Sequence, residues 1–143
     1  MSDLYITNPN FNSMRTIFIG LFLMIGSIAF CQTQLKMNQE SGDSFAKADK
    51  ELNVIYKKIL LEYKSDTAFI KNLKASQRIW ITFRDAELKM KFPDREPGWY
   101  GSIQPMCESG YLEKLTRARI KTLTEWLQGV AESEGCGGSI KRQ

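Results

Sequence analysis

The sequence predicts an all-α fold: a small three-helix domain built on an antiparallel helical hairpin and preceded by a signal peptide. Three observations carry this. Apolar residues recur every three or four positions over three separate stretches, which is the period of one helix face. Helix breakers fall between those stretches, at Lys64–Thr67 and at Pro93–Gly101. An apolar run near the start follows a positive charge, as in an export leader. No stretch alternates as a strand would, and no internal repeat is visible.

The leader comes first. Met14 and Arg15 precede the apolar run Thr16–Phe30, and Ala29 and Cys31 place small residues three and one before a cut ahead of Gln32. The run is short for a membrane span, which needs roughly 20 residues. A leader starts near its own Met, so translation is expected to begin at Met14. Cys31 has two expected fates. Cleavage after it removes it, or acylation keeps it as a lipid anchor, a route that the bulky Phe30 before it disfavours. Export to the periplasm, cell surface or medium follows in either case, with membrane contact only if Cys31 is lipidated. Residues 1–31 are thus read as extension and signal, 32–130 as the helical domain and 131–143 as a flexible tail rich in Gly, Ser and charge.

The first helix is expected from about Asp43 to Tyr63, with Gly42 marking its start. Phe45, Ala48, Leu52, Ile55, Ile59 and Tyr63 share one face, and Lys47, Lys50, Lys57 and Lys58 fall mostly on the other. Ser65 or Asp66 can cap the second helix, which runs to about Phe92 with Phe69, Leu73, Ser76, Trp80, Phe83 and Leu88 near one face. Pro93 ends it. A third helix is expected from about Ser102 to Val130, with Ile103, Met106, Gly110, Leu115, Ala118, Leu123, Trp126 and Val130 as its buried stripe.

The hairpin register can be read by counting outward from Ser65. Asn53 and Gln77 are equidistant from it, and Asp49 falls against Trp80 and Arg84. Asp49, Asn53, Gln77 and Arg84 would therefore meet as a polar seam in which each satisfies another. Asp49, Glu51 and Glu87 can also be read as acid/base groups, against the alternative of a structural network that fixes helix register.

Catalytic options are few. The chain has no histidine, which removes Ser-His and Cys-His pairs and most zinc sites. No phosphate loop, paired-cysteine motif or zinc-protease helix is present. The reading is a binding protein rather than an enzyme, with no catalytic residue, cofactor or metal. The net charge of +4 suits anionic partners such as wall polymers or lipid headgroups, but it is read first as a solvated helix surface. It lacks the dense basic and aromatic runs of a nucleic-acid binder. The loop after the second helix is the candidate partner-binding site. Arg95, Trp99 and Tyr100 are hot-spot residue types held between turn formers. Trp99 can instead fold back to cap the core. Cys107 and Cys136 are not expected to bridge. A helix from Cys107 to Val130 carries the chain about 35 Å, and the short tail returns only about 20 Å.

These residues resemble a known family. Asp49-x-x-Leu52-Asn53-x-x-Tyr56, then Leu73-x-x-x-Gln77-Arg78-x-Trp80-x-x-x-Arg84-Asp85, then Gly101-Ser102 and Leu115-Thr116-x-x-Arg119-x-x-x-Leu123 are similar to the lysozyme inhibitor LprI-like N-terminal domain. The resemblance covers about Met37 to Trp126. It implies an exported, bacterial helical domain that inhibits lysozyme, and the reading built on it is steric and charge blockade of lysozyme or another glycan-cleaving enzyme. The alternative is an envelope interaction module without lysozyme activity. The resemblance implies cysteines near the start of the first helix and after the Arg-Asp pair, which fall here at Glu40 and Leu88, so a bridge that relatives use as a staple is lost as a unit. Another family cysteine falls at Tyr111, with Cys107 one turn earlier.

Overall fold

A computed structural model describes the backbone from Pro9 to Gln143 and the side chains from Thr33 onward. The expected leader and the fate of Cys31 lie outside the described side chains. The chain divides into two units, residues 1–37 and 38–143, and the second carries the fold. No helix among the described residues is long and apolar enough to cross a membrane.

Three helices make the domain: α1 (Pro9–Glu62), α2 (Thr67–Lys91) and α3 (Gln104–Gln128). The expected helix start at Gly42 is corrected, because α1 runs straight through it. A Cβ at Gly42 would meet nothing, so this glycine is only tolerated, at a cost of about 1 kcal/mol against alanine. The Gln-, Leu-, Lys- and Met-rich residues before it are good helix formers. Asp66 caps α2, its carboxylate accepting the Phe69 N–H at 2.9 Å. Phe92 closes the helix with its N–H on the Leu88 carbonyl, just before Pro93.

The register follows from long-range contacts. Asn38 donates to the Ser102 carbonyl, Ser41 to the Met106 carbonyl and Tyr63 to the Trp126 carbonyl, at separations of 64, 65 and 63 residues. A constant offset means that α3 runs parallel to α1. Between α2 and α3 the offset grows, from 24 residues at Glu87–Tyr111 to 42 at Gln77–Arg119, so these two are antiparallel. Arg84 reaches Asp49, and Phe69 packs on Tyr63 beside the turn, which closes α1 and α2 as the antiparallel hairpin.

Leu52 and Ile59 from α1, Tyr63 just after it, Leu73 from α2, and Ile120 and Leu123 from α3 form the buried core. The expected α1 stripe is in place, with Ala48 fully buried beside it. The other two stripes need correction. Phe83 is 53% exposed and Gln77 is buried instead, because the inner face of α2 is centred on Leu73, Gln77, Trp80 and Arg84. On α3, Thr116, Ile120 and Leu123 are buried, whereas Ile103, Gly110 and Ala118 are exposed. Ile103 precedes the helix, and Ala118 stands two residues from both Thr116 and Ile120, on the opposite face.

The segment after α3 folds back. Val130 donates to the Lys141 carbonyl and accepts from Gln143 N–H. Lys141 also pairs with Glu62, and its backbone N–H donates to the Tyr63 hydroxyl. The sequence patterning gave this segment no docking partner.

Candidate functional site

The loop from Pro93 to Ile103 joins α2 to α3 beside Asn38 and Ser41. Its shape comes from two glycines. Gly98 and Gly101 take φ of +86° and +70°, left-handed angles that other residues adopt at a steric cost. Trp99 N–H bonds to the Glu96 carbonyl, and Gly101 N–H to the Gly98 carbonyl. Tyr100 turns inward, donating to the Pro93 carbonyl at 2.9 Å and meeting the Phe92 ring edge-on at 5.7 Å. Trp99 turns outward and is 69% exposed. The Arg95 guanidinium lies 5.8 Å from its ring centroid, within cation–π range. Asp94, Arg95, Glu96 and Trp99 line one shallow hollow. The three candidate binding residues thus separate: Arg95 and Trp99 present a surface, and Tyr100 holds the loop to the body.

The four seam residues also separate. Arg84 has a side chain only 14% exposed and reaches Asp49 at 3.4 Å and Asp85 at 2.9 Å. Its guanidinium lies 5.8 Å from the Phe45 ring and 5.4 Å from the Trp80 ring. Asn53 and Gln77 line the same open groove with Tyr56, Lys74, Arg78 and Ile81, but each bonds elsewhere. Asn53 donates back to the Asp49 carbonyl at 2.9 Å and to its carboxylate at 3.2 Å. Gln77 accepts from Arg119 Nε at 3.1 Å, so its partner sits on α3. Arg119 also donates to Ser76 Oγ at 3.0 Å. Burial holds the Arg119 guanidinium below its usual pKa.

The carboxylates first weighed as acid/base groups go to three separate partners. Asp49 meets Arg84, Glu51 meets Arg117 at 3.5 Å, and Glu87 accepts from the Tyr111 hydroxyl at 3.0 Å. That last hydrogen bond raises the Tyr111 pKa, aided by desolvation and by the Glu87 charge. The Glu87–Tyr111 hydrogen bond ties α2 to α3. Lys91 adds its ammonium 4.1 Å from the Tyr111 ring centroid. Among the described residues, no group of three or more acids and cysteines could hold a metal.

Cys107 and Cys136 are both free. Cys107 sits near the start of α3 with Phe92 and Tyr111. Cys136 sits by Leu123 and Trp126 near its end. Single-helix spacing had missed Arg119, Tyr111 and Tyr63 as cross-helix partners, since their roles depend on what the neighbouring helix offers.

Fold and site together define a small three-helix domain that presents an aromatic loop at one end. Its family is shown directly. The chain belongs to the lysozyme inhibitor LprI family, whose model matches residues 29–123. The motif resemblance is thereby borne out, and the match stops short of Trp126 and the C-terminal segment. An uncharacterized protein of Rhizobium meliloti (strain 1021) is 31% identical over 108 residues, covering 67% of this chain and 75% of that one. No solved structure matches the chain.

Proposed function

We propose that this protein is an exported binding domain that inhibits a lysozyme or a related glycan-cleaving enzyme by laying the Arg95–Tyr100 loop across its substrate cleft. The observation that carries the reading is Trp99, a large indole left 69% exposed on a loop whose shape is fixed from within. Pro93, Pro97 and the Tyr100–Pro93 hydrogen bond restrict the loop before any partner arrives. Binding then orders little, and more of the contact energy is realised. Trp99 supplies rigid apolar area, and Arg95 supplies a fixed charge with a fork of donors suited to carboxylates. Asp94 and Glu96 border the same hollow, so Arg95 acts as a local charge inside a mixed rim. The inhibitor family supports this reading, and the leader expected from the sequence would bring the domain to the compartment where lysozyme acts.

The test is clearing of a cell-wall suspension by purified lysozyme, with and without the protein. Clearing should slow in proportion to added protein, up to a stoichiometric limit. Unchanged clearing at high micromolar protein would overturn the inhibitor reading in favour of an envelope interaction module.

A further inference from the structure

A second site lies at the other end of the bundle, under the C-terminal segment. It is a cavity of about 460 Å³, within the range of small-molecule sites. Phe69 and Leu73 from α2 and Leu123 and Trp126 from α3 give it an apolar lining, and residues 136–140 form one wall. Two groups on its lining are incompletely matched: a buried N–H without an acceptor and a cation without a counter-ion among the described residues. The Trp126 indole N–H is buried with no hydrogen-bond partner, a state that native proteins seldom leave unanswered. Arg119 donates only to the neutral oxygens of Gln77 and Ser76 and pairs with no carboxylate among the described residues. Burial alone lowers its pKa, as expected of a cation losing water without gaining a counter-ion.

We propose that this cavity binds a small amphipathic carboxylate, its apolar body against Phe69, Leu73, Leu123 and the Trp126 ring and its head taken by Arg119. An apolar floor edged by a cation without a counter-ion is complementary to that chemistry. A cationic head would meet Arg119 with like charge, and a wholly apolar ligand would leave its charge uncompensated.

Decanoate serves as the probe and decanol as its uncharged counterpart, each titrated into nitrogen-15-labelled protein. The Trp126 indole resonance is identified by its loss in Trp126→Phe. Decanoate should shift that resonance saturably and leave the Trp99 indole unmoved. Decanol should bind at least about tenfold more weakly, the loss of roughly one charge-assisted hydrogen bond. Arg119→Gln should bring decanoate down to the level of decanol, and bound decanoate should slow alkylation of Cys136. The absence of a saturable shift, or equal binding of decanol and decanoate, overturns the proposal. That comparison uses the unaltered protein, so it stands even if Arg119→Gln fails to fold. It involves no lysozyme and a site remote from the loop, so it is decided separately from the inhibitor reading.

Discussion

The hydroxyl of Tyr63 donates to the carbonyl of Trp126 at 2.7 Å. The same oxygen accepts the Lys141 backbone N–H at 3.0 Å. One phenol just past the end of α1 thus answers a free carbonyl near the end of α3 and holds the segment that returns past it. Its ring remains in the core beside Phe69, so Tyr63→Phe removes only the two hydrogen bonds. Leaving two half-buried backbone groups unmatched should cost about 1–3 kcal/mol, read from urea unfolding. The Cys136 thiol should also react faster with a disulfide reagent, because the wall that carries it is released. Unchanged thiol reactivity in Tyr63→Phe would mean that other contacts hold this segment.

The polar seam makes a comparative prediction. Gln77 is buried and its carbonyl holds the Arg119 guanidinium, so Gln77→Ala should cost about 1–3 kcal/mol by stranding a desolvated cation. Asn53 is exposed and bonds within its own helix, so Asn53→Ala should stay within about 0.5 kcal/mol. Arg84→Ala should resemble Gln77→Ala, since it opens a gap between Phe45 and Trp80. Asp49→Asn should cost less than about 1 kcal/mol, because Asp49 is 44% exposed and its contact with Arg84 is long. Equal losses for Asn53→Ala and Gln77→Ala in denaturant titrations would restore the simple facing pair.

That contrast shows what could be read in advance. Counting from Ser65 placed Asp49 against Arg84 and Asn53 in one groove with Gln77, because hairpin register depends only on turn position and helix rise. It could not show that Gln77 turns to α3, because the register of a third helix depends on a connecting loop with no fixed length rule. The stripes failed for a related reason. Phe83 and Ala118 are apolar and Gln77 and Thr116 are not, so a count of apolar spacing favours the wrong pairs. Polar residues are buried here because neighbours can partner or pack them. The loop was legible as a candidate from its composition, but two glycines with positive φ decide that Trp99 points out and Tyr100 in. The cavity was invisible, since the C-terminal segment has no periodicity to suggest where it returns.

Tyr111 gives a pH-dependent prediction. Its hydrogen bond to Glu87, then desolvation, then the Glu87 charge hold its pKa above the ordinary 10.0. The protonated phenol is therefore favoured in the folded state. Its contribution is complete below about pH 10 and is lost as pH rises through the raised folded value. The stability difference between the unaltered protein and Tyr111→Phe should hold steady up to about pH 10 and shrink above it. Denaturant midpoints across the alkaline range check this. A difference that stays constant through that range would mean that the phenol titrates alike in both states.

The loop prediction carries the function. Trp99 is largely exposed and touches Arg95 rather than the core, so its removal should barely disturb folding. Trp99→Ala should change stability by less than about 0.5 kcal/mol, whereas it should weaken lysozyme inhibition by about 2–4 kcal/mol, the range of a central aromatic anchor. Arg95→Ala should weaken inhibition too, and more so at low ionic strength, where its charge is least screened. Tyr100→Phe tests the support instead of the contact. It keeps the edge-on packing against Phe92 and loses the hydrogen bond to Pro93. The loop then has more freedom to lose on binding, so inhibition should weaken by about 1 kcal/mol. Inhibition constants for the three variants, with circular dichroism as the control for folding, separate these roles. If Trp99→Ala folds normally and inhibits like the unaltered protein, the loop is not the contact surface, and the open groove beside Asn53, Lys74 and Arg78 becomes the next surface to test.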